Sequence, residues 1–401
     1  MTVSNSIASS RHRLQPLRVM PNRVAVVRFL VCLLLAAWLM LPAESASERW
    51  DRPSPAVPCG VDAAAAMARI LGETVEETAI AEAAADYRAP ASMSLLDVAH
   101  EFQLLTDREP TAYEASFDEL LWLDRPLLMH LAESGCSSCG GEGHVVAVER
   151  LTADWAIVVH TDRTELVGAL ELRKEYAGHA LLPRPPAGAG DAPAIACDSY
   201  VAELGNILAG ERRPCRVAVR NVGRATLNIS RIDSSDSVAC SHAPAELGPG
   251  EVDWLDLIVC PSHRFDRAFD TRTFFVHIHS NDSVRPRTTV ALRCTVVEPV
   301  IPETPIVYFP RVSRSNPSSR TISLECRPPA KLLGAAASQP AVAVAVEQTG
   351  ETLSSTRYAL HITVQGDRLE PGIIQVPIAL QLDGVASRGA ELIARVRVSP
   401  D

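Results

Sequence analysis

The chain has 401 residues, 47% of them hydrophobic, and a formal net charge of −10, which is room for roughly two or three domains with separate cores. Without residues 1–45, which hold five arginines and one acid, the balance falls to −14. An acidic chain with no basic tract excludes nucleic acid as a partner and argues against electrostatic adhesion to anionic lipid.

Phe29 to Leu41 is an unbroken apolar run preceded by Arg23 and Arg28 and followed by Pro42-Ala43-Glu44-Ser45-Ala46. The run is shorter than the ~20 residues of a membrane span, and Ala43-x-Ser45 suits a cleavage site. Residues 1–45 are therefore expected to be a signal peptide or, if retained, an N-terminal membrane anchor. In both cases the rest of the chain lies outside the cytoplasm, in the periplasm or cell envelope. That location bears on the ten cysteines. With Cys32 in the signal and Cys59 set aside, an even set remains, and in an oxidising compartment it predicts disulfide bonds. The six from Cys197 to Cys326 admit about fifteen pairings, so connectivity stays open.

Pro58-Cys59-Gly60-Val61-Asp62 runs into an alanine-rich stretch that ends at Gly72. Pro58 and Gly60 suit a helix entry, the alanines are the strongest helix formers, and Gly72 is a stop. Cys59 would then sit where unsatisfied N–H groups and the helix dipole favour a thiolate. A buried small hydrophobe or half a disulfide is the ordinary alternative for such a cysteine. A partner histidine decides between them.

Thr74 with Glu77, Ser94 with Asp97 and Ser116 with Glu119 have capping-box spacing and predict three helix starts. The period then changes, and Pro126–Leu131, Val145–Glu149, Trp155–His160 and Tyr176–Leu182 read as short, mostly buried strands. Helices followed by an antiparallel sheet predict an α+β domain over residues 50–183. His144, in Gly143-His144-Val145-Val146, opens one of these strands.

Pro58-Cys59-Gly60, Ser94-Leu95-Leu96-Asp97, Pro126–Leu131, Gly143–Val148 and Tyr176–Leu182, in this order, resemble the bacteriocin-processing (double-glycine leader) peptidases, family 39 of the papain-like cysteine peptidases. The resemblance implies Cys59 as nucleophile, His144 as general base and an orienting aspartate after the next strand, for which Asp162 is the candidate. The chain departs from the family in two places. The usual Asp-Pro turn is absent, so Asp162 fits only if the hairpin has lengthened, and simple spacing lands on His160 or Thr161. Residues 50–58 also lack the glutamine that helps hold the oxyanion, a loss typically worth about 100- to 1,000-fold in rate. Directly before His144, Gly135-Cys136-Ser137-Ser138-Cys139-Gly140-Gly141-Glu142 admits a zinc-site fragment or a redox pair. With no second ligand pair and no thioredoxin-like pattern, a disulfide-pinned loop beside the cleft is the expected reading.

Pro183–Pro193 is rich in proline, glycine and alanine and reads as a linker, with its boundaries placed at 184–196. Beyond it, alternating strands with frequent turns predict β-sandwiches over residues 197–298 and 302–401. The segments Leu204-Gly205-Asn206-Ile207, Arg220-Asn221-Val222-Gly223, Gly248-Pro249-Gly250-Glu251 and His279-Ser280-Asn281-Asp282 resemble the immunoglobulin-like family called domain of unknown function 1573, close to ASH-type sandwiches. His277, His279 and His361 sit at strand spacing and are expected to be structural.

The expected fold class is thus multidomain: an α+β papain-like cysteine peptidase domain followed by two all-β immunoglobulin-like sandwiches. The expected function is an exported cysteine peptidase-like protein acting on a peptide or protein substrate through Cys59, His144 and Asp162, with no cofactor or metal. The sandwiches are expected to meet an envelope protein partner. The alternative is a catalytically inactive peptide-binding or envelope scaffold.

Overall fold

The alanine run after Asp62 lies in helix α1 (Cys59–Ile70), where Gly60, Val61, Ala63–Ala68 and Ile70 are all buried. A helix apolar all round must be covered on every side. In this computed structural model, which describes residues 57–87, 93–132, 143–185, 189–265, 268–384 and 390–399, one side of α1 lies on a β-sheet. Ala63, Ala66, Met67 and Ile70 share a core there with Leu128, Val145, Ala147, Ile157, Val159 and Leu181. The other side packs through Val61 and Ala65 against Ile80 and Ala83 of α2 (Glu77–Asp86).

Two of the three expected capping boxes form. Ser94 Oγ accepts from Asp97 N at the start of α3 (Leu95–Thr106), and Ser116 Oγ accepts from Glu119 N at the start of α4 (Phe117–Leu121). The Thr74–Glu77 box does not form, because α2 starts later, with Glu76 as N-cap and no side-chain cap bond.

The sheet under α1 has six strands in the order β1-β6-β2-β3-β4-β5. They are β1 (Pro110–Glu114), β2 (Leu127–Leu131), β3 (His144–Leu151), β4 (Trp155–Val159), β5 (Thr164–Gly168) and β6 (Tyr176–Pro183), and every pairing is antiparallel. The outer strands β1 and β5, and α5 (Ala169–Glu175), were not anticipated from the sequence. Edge strands carry polar residues and lack the apolar run that marks β2 to β4.

Two sandwiches follow. The first pairs a five-stranded sheet, β12-β10-β14-β15-β8, with a four-stranded one, β11-β13-β9-β7. Its strands are β7 (Ile195–Cys197), β8 (Val201–Leu208), β9 (Arg213–Asn221), β10 (Leu227–Ser234), β11 (Val238–His242), β12 (Glu246–Leu247), β13 (Val252–Val259), β14 (Phe269–Ser280) and β15 (Arg287–Val297). Buried Asn221 pins its corner, with Nδ2 donating to Ala225 O and Leu247 O and Oδ1 accepting from Gly223 N. The second sandwich has the sheets β16-β18-β21-β20 and β17-β23-β22-β19. They comprise β16 (Val300–Pro302), β17 (Ile306–Val312), β18 (Ser318–Cys326), β19 (Lys331–Ala337), β20 (Val342–Glu351), β21 (Thr356–Val364), β22 (Gly372–Asp383) and β23 (Glu391–Val398). Each sandwich has one parallel pairing, β8 with β15 and β17 with β23. The described chain is thus a multidomain mixed α+β protein with several antiparallel sheets and few helices.

Residues 53–401 form one compact unit, and the first sandwich packs directly on the six-stranded sheet. Buried Glu149 of β3 accepts from Arg287 Nη2 at 2.8 Å and from Thr289 Oγ1 at 2.7 Å, both on β15. The Arg150 guanidinium lies 4.0 Å from the Tyr200 ring centroid and Arg293 lies 4.7 Å from that of Trp155.

Two expectations are corrected. Cys59, Cys197, Cys215, Cys240, Cys260, Cys294 and Cys326 all stand as thiols, so none of the disulfides expected among them forms. Cys240 and Cys215 both pair with Leu257, from opposite sides of β13. Two strand spacings, about 9.6 Å, separate their backbones, beyond the ~7 Å a disulfide spans. As for the expected membrane segment, among the described residues no helix is long and apolar enough to cross a membrane. The signal-like run 29–41 and the Cys136–Cys139 loop lie outside the described residues.

Candidate active site

Cys59 is the first residue of α1 and is half-buried as a thiol. Pro58 before it has φ −57° and ψ 141°, carries no side-chain cap, and gives its carbonyl to Asp62 N at 3.0 Å. Proline suits this place because its fixed φ begins a helix and its missing N–H is not needed there.

One turn further on, Asp62 ties α1 to the end of β4. Its Oδ1 accepts from Thr161 N at 3.1 Å and from Thr161 Oγ1, and Oδ2 lies 3.3 Å from His160 Nδ1. Burial pushes the Asp62 carboxyl up, but the hydrogen bonds from His160 and Thr161 outweigh it and hold the group below the ordinary carboxylate range. From further along α1, Arg69 Nη1 donates to Thr161 O at 2.6 Å. Thr161 is thus gripped from both ends of the helix.

This clamp sets the position of the helix start. β4 runs antiparallel to β3 with Ala147 opposite Val159, so the residues just after β4 lie beside the beginning of β3. His144, buried at 6% exposure, is that beginning, paired with Leu131 of β2. His144 thus opens β3 beside the turn that Asp62 holds. Two more imidazoles stand there, His130 on β2 and His179 on β6, with ring centroids 6.2 Å apart. Burial, helped by the nearby His179 and His144, lowers the pKa of His130. Gly143, at φ +100°, lets the chain enter β3, and a Cβ on it would lie 2.5 Å from His130 Nε2.

Asp162 sits in the turn after β4, which His160 N closes onto Arg163 O at 2.8 Å. Its side chain is half exposed and pairs with Arg163 Nη1 at 3.1 Å. The carboxylate built into the helix–sheet junction is instead Asp62, which the sequence reading passed over. The available signal was its place as the only charge between Cys59 and Ala68, on a helix otherwise suited to full burial. Elsewhere, His277 Nδ1 meets Thr289 Oγ1, His279 Nε2 meets Asp233, and His361 meets Thr321 and Glu347. Among the described residues, no group of three or more His, Cys, Asp or Glu side chains is arranged to hold a metal ion.

No protein-family model matches the sequence, and no curated protein matches it. Among solved structures, the peptidase domain of Streptococcus ComA is similar at 15% identity and TM-score 0.27, over 34% of this chain and 96% of that one. A protein of unknown function from Porphyromonas gingivalis W83 is similar at 12% identity and TM-score 0.23, over 51% of this chain and 99% of that one. The ASH/PapD-like domain 7 of human CEP192 is similar at 10% identity and TM-score 0.21, over 27% of this chain and 87% of that one. These are remote resemblances to peptidase-type and immunoglobulin- or PapD-type folds and single out no specific family.

Proposed function

We propose that this chain is an extracytoplasmic thiol peptidase-type protein in which Cys59 is the nucleophile and His144 the general base. The observation that carries the reading is the half-buried Cys59 thiol at the first position of a buried helix, which packs on the sheet whose strand β3 begins with His144. Helix-end N–H groups and the dipole favour the thiolate there. The Cys59 thiolate would attack the substrate carbonyl carbon. As the C–N bond breaks, imidazolium His144 would return its proton to the leaving amine, forming a thioester. Water, deprotonated by His144, would then release the acid and regenerate the thiol.

A second reading, a non-catalytic peptide-binding scaffold, is favoured by two observations. The Asp162 carboxylate is engaged by Arg163, and no glutamine occupies residues 50–58. In both readings the sandwiches would carry the contact with a protein partner.

The test is the rate of iodoacetamide labelling at Cys59 against pH, read by peptide mapping so that the other thiols do not interfere. The peptidase reading expects fast labelling with an apparent pKa well below the free-thiol value of ~8.5, lost in His144→Ala. Slow labelling that His144→Ala leaves unchanged supports the scaffold.

A further inference from the structure

The far end of α1 meets the first sandwich at a second site. Gly72, at φ +79°, abuts Pro286 of the β14–β15 turn, and beside this contact opens a cleft of about 640 Å³. It is lined by Arg69, Glu73, Arg231, Asp233, His277 and Arg287 among others. The volume is in the range of small-molecule sites, roughly 300–1,000 Å³. Arg69 lies ten residues beyond Cys59, about 15 Å along the helix, so the cleft is separate from the candidate active site.

The acids of the cleft are already engaged. Glu73 pairs with Arg108 at 3.0 Å, and Asp233 accepts from Arg231 and His279 at 2.8 and 2.9 Å. The guanidiniums are engaged only in part. Arg69 gives Nη1 to Thr161 O, and Arg287 gives Nη2 to Glu149. Their other terminal nitrogens, Nη2 of Arg69 and Nη1 of Arg287, take no acceptor among the described residues.

His277 adds an acceptor whose tautomer can be assigned. The single hydroxyl hydrogen of Thr289 goes to Glu149, so the contact between His277 Nδ1 and Thr289 Oγ1 at 2.8 Å has Nδ1–H as its donor. Nε2 then carries the lone pair of a ring that lines the cleft. Burial, with Arg287 nearby, lowers the His277 pKa to about 4, so the ring is neutral at pH 7.

We propose that this cleft binds a small oxyanion carrying a hydroxyl, a phosphate or a hydroxycarboxylate. Arg69, Arg231 and Arg287 would take the anionic oxygens, and His277 Nε2 would accept a hydrogen bond from the hydroxyl.

Isothermal titration of the full chain with inorganic phosphate and, separately, with citrate tests this. The expected result is one saturable site for at least one of them, in the millimolar range or tighter, and the better ligand identifies the source as phosphate or carboxylate. Arg231→Gln, at an exposed residue, and Arg287→Lys should each weaken binding at least about tenfold. Circular dichroism of both variants should match that of the wild type. If Arg287→Lys fails to fold, Arg231→Gln decides alone. The proposal is overturned if neither anion gives saturable binding, or if Arg231→Gln binds as tightly as the wild type.

Discussion

Asp62 is the residue on which the geometry of the Cys59 end depends. It holds Thr161 by two hydrogen bonds and faces His160, so Asp62→Ala would leave buried donors without an acceptor. The expected cost is about 2 kcal/mol, measured by urea unfolding at pH 7, with slower labelling of Cys59 as the helix start loosens. The folded pKa of Asp62 lies below its ordinary value. Its stabilisation is therefore complete above the unfolded carboxylate pKa of ~3.9 and is lost as pH falls through the lower folded value. In Asp62→Ala, that part of the acid unfolding limb should flatten. His277 acts in a different window. Its folded pKa of about 4 lies below the usual 6.5, so its contribution is complete above pH 6.5 and is lost as pH falls towards 4. Unfolding midpoints from pH 7 to 4 in the wild type and in His277→Asn check this, the variant showing the smaller loss.

Among the elements, β3 depends on its entry. Gly143 precedes His144 with φ +100°, and a Cβ there would meet His130 Nε2 and Leu131 O. Gly143→Ala therefore combines left-handed strain with a clash, and the expected cost is roughly 1–3 kcal/mol. Cys59 reactivity should fall in the same variant, and thermal melts beside labelling rates would separate the two effects. Helix starts were legible where a local bond suffices, as at Ser94–Asp97 and Ser116–Glu119. The same spacing misled at Thr74, where the chain stays extended until Glu76. Central strands β2, β3 and β4 were legible because both faces are mostly buried and each carries a run of consecutive apolar residues. Edge strands β1 and β5 were not, because β1 carries the exposed run Ala112–Glu114 and β5 is polar through Thr164-Glu165.

For the whole molecule, the main finding is that the first sandwich lies directly on the six-stranded sheet. Glu149 is 3% exposed and bonded to Arg287 and Thr289 across that contact. Removing one partner of a buried pair leaves the other charge uncompensated, so Glu149→Ala should cost about 3–5 kcal/mol. Calorimetry should show the loss as a lower melting temperature and a broadened or split transition, as the two parts unfold less cooperatively. A single sharp transition at the wild-type temperature would show that this junction contributes nothing to cooperativity. Cysteine parity misled at the same scale. The count allowed pairing, but backbone position decides it, and β13 stands between Cys215 and Cys240.

The sequence by itself determined what depends on neighbours along the chain: the helix that starts at Cys59, the capping boxes at Ser94 and Ser116, and the alternation of the sandwich strands. Tertiary structure alone decided what depends on residues far apart in sequence. It brought Asp62 to Thr161, kept Cys215 and Cys240 apart and opened the arginine-lined cleft between α1 and β14. Local hydrogen bonds and hydrophobic period act over a few residues. Contacts such as Asp62 with Thr161 or Glu149 with Arg287 arise only when packing of the shared core brings distant strands and helices together, and no spacing in the sequence encodes that approach.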